Sequence, residues 1–158
     1  MGQDQTYEGS STSVIAGTRV EVWEWLRSVE SALHWHPDCI DAYVVPNPGA
    51  SAVEQRAFVS QHGAGATATA FYSLVESPHG DVLEYRSQTP TSGSFHIHLA
   101  DRPGNFTEIR VTVKAKSPKK SFRRWENPTP GLNRQAATTV ERMKDGYHRS
   151  TAPRRSAR

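Results

Sequence analysis

His36 stands between Trp35 and Pro37 and is the side chain best suited to proton chemistry in this sequence. An imidazole titrates near working pH, which makes His36 a candidate general acid or base. As a plain loop histidine it would instead lie exposed. His34-x-His36 and His96-x-His98 are the metal-like spacings, because two histidines at i, i+2 on a strand share a face and offer two zinc ligands. His96 and His98 alternate with Phe95, Ile97 and Leu99, however, which turns them to the solvent side. No metal site is expected. Cys39 is the single cysteine, so an intrachain disulfide and an all-cysteine site are excluded, and it reads as packing. Gly63-Ala64-Gly65 leads into a strand and lacks the helix N-terminus that presents amides to phosphate, so no cofactor is expected. Tyr72 and Tyr85 carry phenols, and a buried phenol needs a hydrogen-bond partner that a ligand carbonyl could supply.

The elements that hold these residues are legible in the spacing. A short β-prone run, Thr12 to Ala16, ends at Gly17, and Thr18-Arg19-Val20-Glu21 has the capping-box spacing that opens a helix. Val22, Leu26, Val29 and Leu33 recur at steps of four, three and four as one apolar stripe, widened by Trp23 and Trp25, until Pro37 stops the pattern. The period then changes to two. Strands are expected at about 40–45, 53–61, 66–76, 82–88, 93–100 and 106–116, separated by Gly- and Pro-rich turns. In the last, Thr107, Ile109, Val111, Val113 and Ala115 share a face, and Ala66, Ala68, Ala70, Tyr72 and Leu74 share one in the third. Short turns between successive strands make an antiparallel meander. Residues 117–131 hold three prolines and four basic residues and read as a linker. Leu132, Ala136, Val140, Met143 and Tyr147 follow as a second amphipathic helix, whose apolar face must rest on the sheet.

The chain has 158 residues, of which 35% are hydrophobic and 22% charged, enough for one domain with a lean core. Residues 1–9 and 150–158 read as flexible ends around a single domain over 10–149. No run reaches the roughly 20 apolar residues of a membrane span and the N-terminus carries no signal pattern, so a cytoplasmic protein is expected. The net charge of +3 hides two halves. Residues 1–101 hold 4 basic and 12 acidic side chains, a net of −8, while 102–158 hold 15 and 4, a net of +11. Such halves can lie against each other in one fold, or pair between the subunits of a homodimer. Without a nucleic-acid motif, no specific nucleic-acid partner is expected.

The order of these elements resembles the START-like, or SRPBCC, superfamily, and within it the polyketide cyclase/dehydrase and ubiquinone-binding branch. The residues that carry the likeness are Val20-Glu21-Val22-Trp23-Glu24-Trp25-Leu26, Trp35-His36-Pro37, Leu83-Glu84-Tyr85-Arg86-Ser87, Gly93-Ser94-Phe95 and Thr107 to Val113. The resemblance implies an α+β helix-grip fold, a curved antiparallel seven-stranded sheet wrapped around a C-terminal helix with a cavity between them. It implies Trp35, Tyr72, Tyr85, Phe95, Ile97, Val111, Val140 and Met143 as cavity residues. Departures from the pattern are Ala16-Gly17-Thr18 where relatives have Ala-Pro, and the short basic stretch before the last helix. Three functions follow as expectations: binding of a hydrophobic small molecule or lipid in the cavity, a polyketide cyclase or dehydratase using His36, or docking of Lys114 to Arg124 on an anionic membrane. The inward-facing sets are mainly Ala, Tyr, Leu, Phe, Ile and Val, which favours binding over catalysis.

Overall fold

A computed structural model describes residues 6–46, 53–88, 93–116 and 127–156, the last five of these by backbone alone. The first strand, β1 (Thr6–Ala16), pairs antiparallel with β7 (Phe106–Lys116) along its whole length, from Thr6 opposite Lys116 to Ala16 opposite Phe106. It thus starts well before Thr12, and Thr6 to Gly9, expected as a flexible end, belong to the sheet. Gly17 ends it, its carbonyl accepting from Thr107 Oγ1 at 2.8 Å.

The capping box forms as the spacing dictates. Thr18 Oγ1 accepts from the Glu21 amide and the Glu21 carboxylate accepts from the Thr18 amide, opening α1 (Arg19–Arg27). The helix does not continue to Leu33. Ser28 turns extended (ψ 131°), and the chain resumes as a 3-10 turn (Val29–Ser31) and one helical turn, α2 (Ala32–Trp35). This break rotates the stripe, so Val22 and Leu26 are buried while Leu33 is 44% exposed. His36 is extended (ψ 137°) ahead of Pro37, and Asp38 at φ 53° redirects the chain into the sheet.

From there the meander runs through β2 (Cys39–Val44), β3 (Gln55–His62), β4 (Ala66–Glu76), β5 (Val82–Ser87), β6 (Ser94–Arg102) and β7. Every neighbouring pair is antiparallel, in the order β1-β7-β6-β5-β4-β3-β2. The turns expected at 46–49 and 90–93 fall mostly outside the described residues. On the free edge, Ile40, Tyr43 and Val44 of β2 are exposed, and the Ala42 amide donates to the Asp41 carboxylate at 2.9 Å.

The last helix, α3 (Thr129–Ser156), begins three residues before Leu132, inside the stretch read as linker, and extends past Tyr147 into the expected tail. Leu132, Ala136, Val140, Met143 and Tyr147 are all buried, so the predicted stripe is the face that meets the sheet. Gly9 and Gly146 set how closely α3 packs. A Cβ on Gly9 would collide with the Leu132–Asn133 backbone, and one on Gly146 would lie 2.5 Å from His34 Cβ. At the first contact Asn133 Oδ1 also accepts from the Ser10 amide at 3.1 Å, tying α3 to the edge strand. The molecule is an α+β helix-grip fold.

Candidate functional site

Pro37 fixes where α2 stops, and that stop aims Trp35 and His36 into the space between sheet and α3. Trp35 donates through Nε1 to Ser31 Oγ (3.1 Å), and its ring packs 5.7 Å from Phe58, 5.2 Å from Tyr85 and 5.2 Å from Phe95, centroid to centroid. All four rings are essentially inaccessible to water. Among the described residues, these four rings occupy the interior at this level. Burial of four aromatic side chains, each on the order of 150–250 Å², is the main apolar contribution there.

Among the described residues, a cleft of about 270 Å³ stays open at one end of this cluster. His36 and Pro37 form one wall, Ser60, Ala68, Ala70 and Tyr72 of the β3–β4 hairpin another, and Phe95 and Gln135 face them from β6 and α3. The small side chains at the start of β4 leave the room. Of the residues expected to line a cavity, Tyr72 and Phe95 do so. Trp35 packs on Phe95, Tyr85 lies beside Phe95 on the neighbouring strand, and these two with Ile97, Val111, Val140 and Met143 are buried in the core outside the described lining of the cleft. A larger groove of about 440 Å³ lies between α1 and α3, lined by Val20, Trp25 and Tyr147 among others, with no strand residue in its described lining.

His36 is buried rather than an exposed loop histidine. Its Nε2 lies 2.9 Å from Tyr72 Oη, and its Nδ1 3.5 Å from Ser60 Oγ, which donates to the Pro37 carbonyl at 2.9 Å. Burial drives the His36 pKa down from 6.5 to about 4, against a smaller opposing effect of the Pro37 carbonyl, so the ring is neutral at pH 7. The Tyr72 phenol is pushed well above its ordinary value by burial, and Cys39 adds to the shift. Two neutral polar groups thus satisfy each other at the cleft wall.

Tyr85 finds its partners inside the protein. Its hydroxyl donates to the Leu26 carbonyl at the end of α1 (2.7 Å) and accepts from Arg56 Nη1 (3.0 Å), with Arg56 Nε bound to Glu54 at 2.7 Å. Burial pushes Tyr85 up to about 12 although Arg56 pulls the other way. The buried Arg56 was not foreseen, yet it shares parity with Phe58 and Ser60 on β3, and that is the signal of an inward arginine. Ser60 and Gln135 were likewise missed. His34 packs on Trp25 at 5.9 Å instead of joining His36 in a ligand pair, and His98 is exposed on the outer face, where His96 is half-buried. Among the described residues no cluster of three or more His, Cys, Asp or Glu side chains could hold a metal ion. Cys39 is half-buried, with its thiol held up by burial and donating to the Asp41 carbonyl. Residues 117–124 of the basic segment lie outside the described residues.

The architecture recurs among solved structures. A protein of unknown function from Staphylococcus aureus superposes with a TM-score of 0.73 at 11% identity, over 95% of this chain and 98% of that one. Ara h 8.0201 gives 0.66 at 10%, over 94% and 99%. Zhui aromatase/cyclase from Streptomyces sp. R1128 gives 0.60 at 14%, over 95% and 96%. No protein-family model and no curated protein matches the sequence. These likenesses, together with the sheet order and the gripping helix, define the class as helix-grip α+β proteins. This is the fold that the sequence's resemblance to the START-like (SRPBCC) superfamily implies.

Proposed function

We propose that the protein binds one small, largely apolar molecule in the cleft beside His36 and Tyr72, between the sheet and the N-terminal part of α3. The observation that carries this reading is a hydrogen-bonded polar pair withdrawn from water at the wall of a hollow whose apolar lining comes from Phe95, Pro37, Ala68 and Ala70, with His62, Thr69 and Gln135 also on it. Ligand sites commonly combine an apolar lining with a few placed polar groups, over roughly 300–1,000 Å³. At about 270 Å³ the cleft suits a one- or two-ring molecule better than the acyl chain of a membrane lipid. Likeness of fold to an aromatase/cyclase is compatible with such a guest.

A cyclase or dehydratase using His36 as base is the weaker reading. A general base works best with a pKa near the operating pH, and His36, at about 4, holds a proton too poorly. The binding reading is tested by titrating the protein with the neutral fluorophore N-phenyl-1-naphthylamine, beside an Ala68→Trp variant that fills the cleft from its exposed rim. Saturable binding of one molecule per chain, lost in the variant, is expected. Unsaturable binding, or equal binding by both proteins, would overturn it. Native mass spectrometry of the purified protein then identifies any co-purifying compound.

A further inference from the structure

The hydrogen bonds behind the cleft wall run in one direction, and the direction specifies the ligand. The chain Tyr72 Oη, His36 Nε2, His36 Nδ1, Ser60 Oγ, Pro37 O has links of 2.9, 3.5 and 2.9 Å on either side of the imidazole. Its terminus is a carbonyl, which can only accept. Ser60 must therefore spend its one hydroxyl proton on Pro37. Towards His36 it then offers only a lone pair, which calls for a proton on Nδ1. The 3.5 Å link is the weakest of the three. A neutral imidazole with its proton on Nδ1 has a bare Nε2. Tyr72 must donate to it, and its hydroxyl then has only a lone pair left for the cleft.

The other polar side chains of the described lining, His62, Thr69 and Gln135, can each donate or accept, so they impose no sense and leave the direction to the relay. Among the described lining residues there is no Lys, Arg, Asp or Glu, and His62 lies exposed, so a charged group seated beside Tyr72 would lose water without a buried counter-charge. We infer that the cleft selects an uncharged ring compound carrying a hydroxyl or N–H that donates to Tyr72 Oη, with Tyr72, His36, Ser60 and Pro37 acting as a one-way hydrogen-bond relay. This rests on the binding reading above and adds to it the chemical class of the ligand: a neutral phenol, enol or ring N–H, as opposed to a ketone, an ether or a carboxylate.

Three probes of one shape test it at pH 7: 2-naphthol, which donates; 2-fluoronaphthalene, close in shape but without a donor; and 2-naphthoate, an anion. Calorimetric titration of wild type should rank naphthol tightest, roughly five- to tenfold over the fluoro compound, as expected for one net hydrogen bond. The naphthoate should be weaker than naphthol by on the order of a hundredfold. Ala68→Trp should abolish binding of naphthol, which locates it in the cleft. Independently, the ¹⁵N shifts of His36 in the ligand-free protein should report the Nδ1–H tautomer. An Nε2–H tautomer, or equal affinity for naphthol and fluoronaphthalene within the cleft, overturns the relay while leaving the cleft as a binding site. If none of the probes binds, or all bind equally to wild type and Ala68→Trp, the binding reading fails as well.

Discussion

Replacing His36 by Gln should reduce the protein's acid sensitivity between pH 7 and pH 5, because burial keeps that ring neutral across the interval. In the unfolded chain it titrates at about 6.5 and in the fold at about 4. A histidine with a depressed folded pKa binds fewer protons folded than unfolded, so its contribution is complete above pH 6.5 and is lost as pH falls towards 4. At about 1.36 kcal/mol per pH unit, the whole interval amounts to about 3 kcal/mol, and about 2 kcal/mol is already gone at pH 5. Urea unfolding followed by circular dichroism at pH 7 and pH 5 measures it, with the slope against urea as a check that the transition keeps its character. Wild type should lose about 2 kcal/mol more than His36→Gln between the two conditions. Contributions from the other histidines are common to both proteins and cancel. Equal losses would refute the premise that folding withdraws this imidazole from water.

Gly146→Ala, normally worth up to about 1 kcal/mol of added stability inside a helix, should here destabilise by about 1–3 kcal/mol, since the new Cβ meets His34 Cβ at 2.5 Å and Trp25 Cη2 at 3.1 Å. Thermal melts give the sign directly. Tyr85→Phe should cost about 2 kcal/mol in chemical denaturation, because it strips both the Leu26 carbonyl and the buried Arg56 of a partner. Trp35→Ala should cost about 3–5 kcal/mol and, where it still folds, admit larger ring systems than wild type in the same fluorophore titration, since it vacates the space against Phe95.

Where periodicity and local geometry agree, the sequence foretold the fold closely. Strand β7 and the buried face of α3 follow from alternation and from steps of three and four, and the Thr18–Glu21 capping box formed as spaced. The errors lie where partners, not local pattern, decide structure. Gly9-Ser10-Ser11 has no apolar alternation, and it is a strand because β7 offers it a complete ladder. The stripe Val22 to Leu33 breaks because Ser28 leaves helical geometry, and no glycine or proline announces that. The site was half legible. The types and neighbours of Tyr72 and His36 mark them and the family resemblance adds Phe95, but the His36–Tyr72 bond joins residues 36 apart in sequence and depends on how the sheet curls. Trp35, expected as a cavity residue, packs among three other rings, and no periodicity reveals how much of an interior is left unfilled.

Strand β2 forms the outer rim of the sheet, and it is greasy: Ile40, Tyr43 and Val44 all meet solvent there. A border of that composition with open amides is the template on which identical chains stack into fibrils. Asp41 works against this by folding its carboxylate onto the amide of Ala42, so the border offers a neighbouring molecule one fewer docking point and a negative charge at the same spot. The colloidal behaviour of the protein at high concentration thus depends in part on one acidic side chain that has no role in the cleft at all.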